Sequence, residues 1–297
     1  MDALEAFPKP PKISEDDLKK AREIGDYRPV LFEWYKYVGS LCVFLAVLRR
    51  DSPALRNVPA QEYSALVGLL NRCARLMLAN VALSHKGFFG ETTAILDRCI
   101  FESAIKLIWL CETSESDRFR RFIADGLKTE LEFKGKIEAN IAERGGAALT
   151  IEARMLRSID KYIAASGLAS AEILETKKLP DLASMVDALG HDRLLYLIGQ
   201  KIGSHHVHGT WPSLRMHYLE EEDGELRPRD HDCPTHVNQY VFVPQVVLNA
   251  MSAFVAYVFA QDGEAACFVS FFDSVRHEIN AINKEVVGND FELANEV

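Results

Sequence analysis

The sequence predicts an all-α fold, a multi-helix bundle of roughly eight to ten helices with a small β-hairpin or irregular insertion near residues 212–237. Three observations carry this. Apolar residues recur every three or four positions over most of the chain. Glycines and prolines fall mainly between these stretches. Only Leu214 to Leu219 alternates, ahead of the turn-like run Glu220-Glu221-Glu222-Asp223-Gly224.

The elements follow in order. Residues 1–13 hold Pro8, Pro10 and Pro11 and read as an extended arm. Ser14 followed by Glu15, Asp16 and Asp17 is a helix start, because a hydroxyl cap and early acids satisfy free N–H groups and complement the helix dipole. Trp34, Tyr37, Leu41, Leu45 and Leu48 predict a helix over 31–50. Pro59 opens another to about Ser84, with Tyr63, Leu66, Leu70, Cys73, Met77 and Val81 on one face. Gly87 and Gly90 flank a Phe-Phe turn. A helix over 91–111 has a wide apolar arc. Its remaining stripe carries Arg98 and Glu102 beside Ile95, Ile105 and Trp109, so another element should cover that stripe. Helices are expected over 117–144, 151–166, 180–189 and 193–208, and 168–179 is weakly patterned. Two last helices run over 243–261 and 264–284, and the tail from Gly288 is polar. Residues 1–58 are thus an arm and helices packing on the core, 59–287 a helical domain, and 288–297 a tail.

Composition excludes several classes. At 297 residues, 48% hydrophobic and 26% charged, the chain can bury a large core. A net charge of −9 argues against broad DNA binding, which needs a basic surface. The six cysteines contain no C-x-x-C pair and read as reduced core residues. The first residues lack a basic segment and an apolar run, so no secretory signal is expected and the location should be cytoplasmic. Val38–Leu48 is too short to cross a bilayer, and Val243–Ala260 contains Gln245, Asn249 and Ser252, which favours a core helix over a membrane span.

The candidate chemistry centres on Gly203-Ser204-His205-His206-Val207-His208-Gly209. On a helix Ser204 and His208 share a face, His205 can converge with His208, and His206 points away from Ser204. Arg98 and Glu102 are likewise four apart. A guanidinium, a carboxylate, a hydroxyl and an imidazole could bind a phosphate or perform acid–base chemistry. The competing reading is a buried polar network in which Glu102 holds Arg98 and His208 caps its helix. His205, His208 and Glu102 could supply three metal ligands, but H-E-x-x-H is absent and no metal is expected. His217, His231 and His236 read as solvated loop residues. The chain has no P-loop, dinucleotide fingerprint or nucleophile elbow, so no cofactor is expected.

Arg98-Cys99-Ile100-Phe101-Glu102 in a long apolar helix, and Ser204 to His208 at a helix end, resemble the R-x-x-x-E and S-x-x-V-H segments of the bacterial DUF5677 family, over roughly residues 60–260. The resemblance implies a helical protein of uncharacterised function, loosely like HEPN proteins, some of which are metal-independent RNases in toxin or phage-defence systems. It also implies that Arg98, Glu102, Ser204 and His208 are the matching site positions. The HEPN R-x(4–6)-H motif has one match here, Arg229 to His236, which contains Pro234 and lies outside the main site. Three expectations follow: a site for an unknown small molecule or RNA, with His208 as its acid–base group; a non-enzymatic helical interaction module, such as a homodimer, in which the same residues only brace the core; or RNA cleavage through Arg229 and His236.

Overall fold

The structure is a computed structural model and describes residues 7–84, 89–229 and 233–288. Gly87, Phe88 and His231, the start of the arm and the tail after Gly288 lie outside the described residues. The described chain is helical apart from one two-stranded hairpin and isolated bridges.

The chain runs through α1 (Glu15–Ile24), α2 (Arg28–Ala46), α3 (Ala60–Ser84), α4 (Gly90–Glu112), α5 (Arg118–Glu143), α6 (Thr150–Ser166), α7 (Ser170–Glu175), α8 (Leu182–Ala188) and α9 (Arg193–Tyr196). A π-helical turn, Leu197–Ile202, joins α9 to α10 (Gly203–His208). Then come α11 (Trp211–Ser213), a second π turn (Leu214–Tyr218), β1 (Leu219–Glu222), β2 (Glu225–Pro228), α12 (Gln239–Val258) and α13 (Asp262–Val287).

Contacts divide the chain into two compact units. The first contains the described residues of Met1–Val58, Leu66–Glu112 and Leu182–Val297. Its centre is α12, which packs on α4, α2 and α13. The helical period accounts for the burial: Leu41 and Leu45 on α2, Ile100, Ala104 and Leu107 on α4, and Val247, Met251, Phe254 and Val258 on α12 are all shielded from solvent. Trp109 and Ile105, from the stripe expected to be covered, are also buried. α1 begins as its sequence predicts. The Asp17 N–H donates to Ser14 Oγ and the Ser14 N–H to Asp17 Oδ2, a reciprocal cap that satisfies two helix-end donors.

The second unit contains Pro59–Ala65 and Thr113–Asp181. Its small core is Ala124, Leu127 and Ile173, with Ile123, Leu131, Ile163 and Leu168 packed around them. The Arg121 guanidinium is buried here and is held by the Lys178 carbonyl and the Glu115 carboxylate. The weakly patterned 168–179 stretch forms the short helix α7, whose Glu172 carboxylate accepts the Ala169 N–H.

α3 and α12 are long and apolar enough to cross a membrane, and α12 is mostly buried inside its own unit. All six cysteines are free, with Cys42 and Cys73 fully buried.

The insertion near 212–237 differs in detail from its prediction. Leu214 to Tyr218 is not a strand. Thr210 is extended and Pro212 sits in the first turn of a new helical segment, where its missing N–H costs nothing, so the chain restarts as helix and widens into the π turn. The strands begin only at Leu219. They close on Asp223-Gly224, both with positive φ (54° and 79°), the conformation a two-residue hairpin turn of matching twist requires.

Candidate functional site

One cavity of about 570 Å³ lies in the first unit. It is walled by the start of α4, the α9–α10 helix, the second π turn, Arg229 and the chain from Cys233 to Phe242. Its polar groups include Asp97, Arg98, His206, His217, Arg229 and His236, set among Ile198, Ile202, Met216 and Phe242.

Two glycines bring the first two walls together. A Cβ on Gly199 would lie 2.5 Å from the Phe101 ring, and one on Gly203 would lie 2.6 Å from Arg98 Cβ and 3.1 Å from the Ala94 carbonyl. The α9–α10 backbone therefore rests directly on α4, which only glycine permits. This contact covers the Arg98 stripe. Gln200 is buried beside it, and the amide orientation that satisfies both groups places its oxygen 3.0 Å from both Arg98 Nε and Nη2 as acceptor.

The next residue on this face is His206, three after Gly203. Its Nδ1 lies 3.0 Å from Ser213 Oγ, and its ring meets that of His217 edge-on at 4.7 Å. Burial, helped by nearby His217 and His205, lowers the His206 imidazole to about 4, so it is neutral at ordinary pH. Burial lowers His217 as well, although Glu91 opposes it. His217 Nδ1 is 2.9 Å from Cys233 Sγ, and burial raises the Cys233 thiol. Deeper in, Asp97 accepts from Asn80 Nδ2 at 2.5 Å, and that same nitrogen donates to Tyr35 Oη at 2.9 Å. Burial raises the Asp97 carboxyl well above the carboxylate range, and its Oδ2 has no partner among the described residues. Arg229 Nε is also buried without a partner there.

The residues singled out from sequence divide into two groups. Arg98, Arg229 and His236 share the cavity. Glu102, Ser204, His205 and His208 are not in its lining. Glu102 does not hold Arg98. It pairs with Lys106 one turn on at 2.6 Å, the favoured order of acid before base on a helix, while Gly203 and Gln200 take the space beside Arg98. His205 is exposed, with Nδ1 2.7 Å from Thr210 Oγ1, and His208 is exposed at the helix end. His205, His208 and Glu102 do not converge as a ligand set among the described residues. His217, expected in a solvated loop, is half-buried in the cavity wall.

His206, His217, Cys233 and Asp97 were missed. The Gly199-x-x-x-Gly203 spacing was the available signal for His206. Glycines four apart mark a close-approach face, and that face continues to position 206.

Residues 63–226, over half of the chain, match a family described as a family of unknown function, DUF5677. The chain belongs to DUF5677. The matched span covers α4 and the α9–α10 helix but stops short of Arg229, Cys233 and His236, so one wall of the cavity lies beyond it. No curated protein and no solved structure matches the chain.

Proposed function

We propose that the cavity binds a small molecule carrying a phosphate-class anion beside an apolar group. One observation carries this reading. Arg98 and Arg229 line the same cavity, and among the described residues neither pairs with a carboxylate and the buried Arg229 Nε has no acceptor. A buried donor without an acceptor is costly, and guanidinium suits phosphate or carboxylate through paired hydrogen bonds. Ile198, Ile202, Met216 and Phe242 suit the apolar part of such a ligand.

Calorimetric titration of chelator-treated protein with inorganic phosphate and nucleoside monophosphates tests this. Binding is expected, with a loss of about tenfold or more for Arg98→Ala, since a charge-assisted hydrogen bond contributes about 1.5–3 kcal/mol. Arg98→Lys should retain part of it as a point charge. Titrations in which neither probe binds wild-type protein would sink the proposal. Incubation with RNA separates a ligand site from a HEPN-like ribonuclease, which would cut without metal and lose cutting in His236→Ala.

A second reading is a non-enzymatic interaction module that forms a homodimer. It is favoured by Leu194, Ile202, Trp211 and Met216, which are all more than half exposed around the α9–α11 stretch. Sedimentation of wild type and Trp211→Asp decides it: a monomeric wild type at high concentration rules it out.

A further inference from the structure

Glu91, His217 and Cys233 come from three segments: the first turn of α4, the second π turn, and the residue bridged to Phe89. One ligand atom from each lies within 4.8 Å of the other two, and all three residues are half-buried. We infer that these three side chains form a site for a single divalent transition-metal ion of the zinc class, with a further coordination position facing the cavity.

The donor set selects the ion. A sulfur, an imidazole nitrogen and one carboxylate suit zinc or cobalt, whereas calcium and magnesium require mostly oxygen ligands. The geometry is close to what is needed. Tetrahedral bonds of about 2.3 Å to sulfur and 2.0–2.1 Å to nitrogen set the two atoms about 3.6 Å apart. His217 Nδ1 and Cys233 Sγ stand at 2.9 Å, so a small side-chain rotation admits the ion between them.

The supports are already in place. The Gly90 N–H donates to the Cys233 carbonyl at 2.7 Å, fixing Cys233 beside the first turn that carries Glu91. The His206 ring packs edge-on against His217 and limits its rotation. A thiol–imidazole nucleophile pair is the competing use of these atoms. In such a relay the third group bonds the far side of the imidazole. Among the described residues no hydrogen bond joins Glu91 to His217; instead the carboxylate clusters with both other donors. Three protein ligands leave a vacant position, the arrangement of sites that bind or activate a small molecule, and His217 and Cys233 both line the cavity. The inference does not rest on the anion-binding reading, because the metal alone is the probe.

Chelator-treated full-length protein titrated with Co(II) is expected to bind one equivalent and develop a thiolate-to-cobalt charge-transfer band, which Zn(II) then displaces. Cys233→Ser should abolish the band. Glu91→Gln and His217→Ala should weaken binding by at least about tenfold, the loss typical even of outer-shell partners. Cys267→Ser, at an exposed cysteine elsewhere, should leave it unchanged. Absence of stoichiometric binding, or a band that survives Cys233→Ser, overturns the inference. A measurement on the unmutated protein guards against misfolded variants. Zinc should slow alkylation of Cys233 but not of Cys267, and equal rates at Cys233 with and without zinc overturn it as well.

Discussion

Helix α12 buries thirteen of its twenty residues, whereas the Arg193–Tyr218 stretch leaves Leu194 58%, Trp211 61% and Met216 57% exposed. Both are rich in apolar side chains, so apolar content alone does not decide burial. α12 keeps one helical phase over its length and packs against three neighbours. The other stretch changes phase twice, at Leu197–Ile202 and Leu214–Tyr218. Each π turn inserts extra backbone and redirects the side chains that follow, a feature often found at functional sites. The first region holds the fold together. The second turns His206 and His217 inward and leaves part of its apolar surface in solvent.

Substitutions can break or sharpen this contrast. The largest effect is expected at Phe101, buried on α4 and stacked with Phe242 at 5.8 Å. Phe101→Ala should cost about 3–5 kcal/mol in urea unfolding. A cost below about 1 kcal/mol would mean that α4 is not part of the core, as large-to-small changes there leave a cavity.

Next come two glycines with opposite expected signs. Gly203→Val meets Arg98 and the Ala94 carbonyl, and overpacking of this kind should cost about 1–3 kcal/mol. Gly126→Ala meets nothing within 4 Å on the exposed side of α5 and should stabilise by up to about 1 kcal/mol. Equal effects at the two sites would show that α9–α10 does not rest on α4.

Asp97 gives a pH signature. Its carboxyl is raised by burial, so the folded chain keeps this proton to higher pH than the unfolded one. Its contribution to stability is fully present below the ordinary carboxylate value of about 3.9 and is lost as pH rises toward the raised folded value. Asp97→Asn removes that loss. Its stability relative to wild type should therefore grow from acid to neutral pH in parallel denaturation series, and a constant difference would contradict the assignment. The smallest effect is expected for Trp211→Ala, within about 0.5 kcal/mol in the same assay, as for exposed side chains generally.

The helices were legible because burial follows a period that can be read one residue at a time. Leu41, Leu45, Leu66, Met77 and Leu107 are buried as their spacing requires. Arg98 was legible for a related reason, since Trp109 and Ile105 on the same stripe implied a cover. The partners of Arg98 were not. Placing Ser204 and His208 opposite it assumed which face of the later helix meets α4, and the contacts at Gly199 and Gly203 set that face toward His206 instead. Glu102 went to Lys106, a local partner, in preference to the distant site. His217 and Cys233 lie in segments without a helical period, and only the folded backbone places them side by side. The Leu214–Leu219 alternation resembled a strand, but in the π turn Leu214, Met216 and Tyr218 stay exposed and line no buried face.

Gly90 joins two parts of the molecule that are far apart in sequence. A Cβ there would fall 2.4 Å from the Pro234 carbonyl oxygen. Any side chain at this position would lever the 233–236 turn outward, separating Cys233 from His217 and drawing His236 off the rim. The width of a single methyl group thus sets the spacing between the two banks of the cleft, and an alanine there would act on the site without replacing any of its polar side chains.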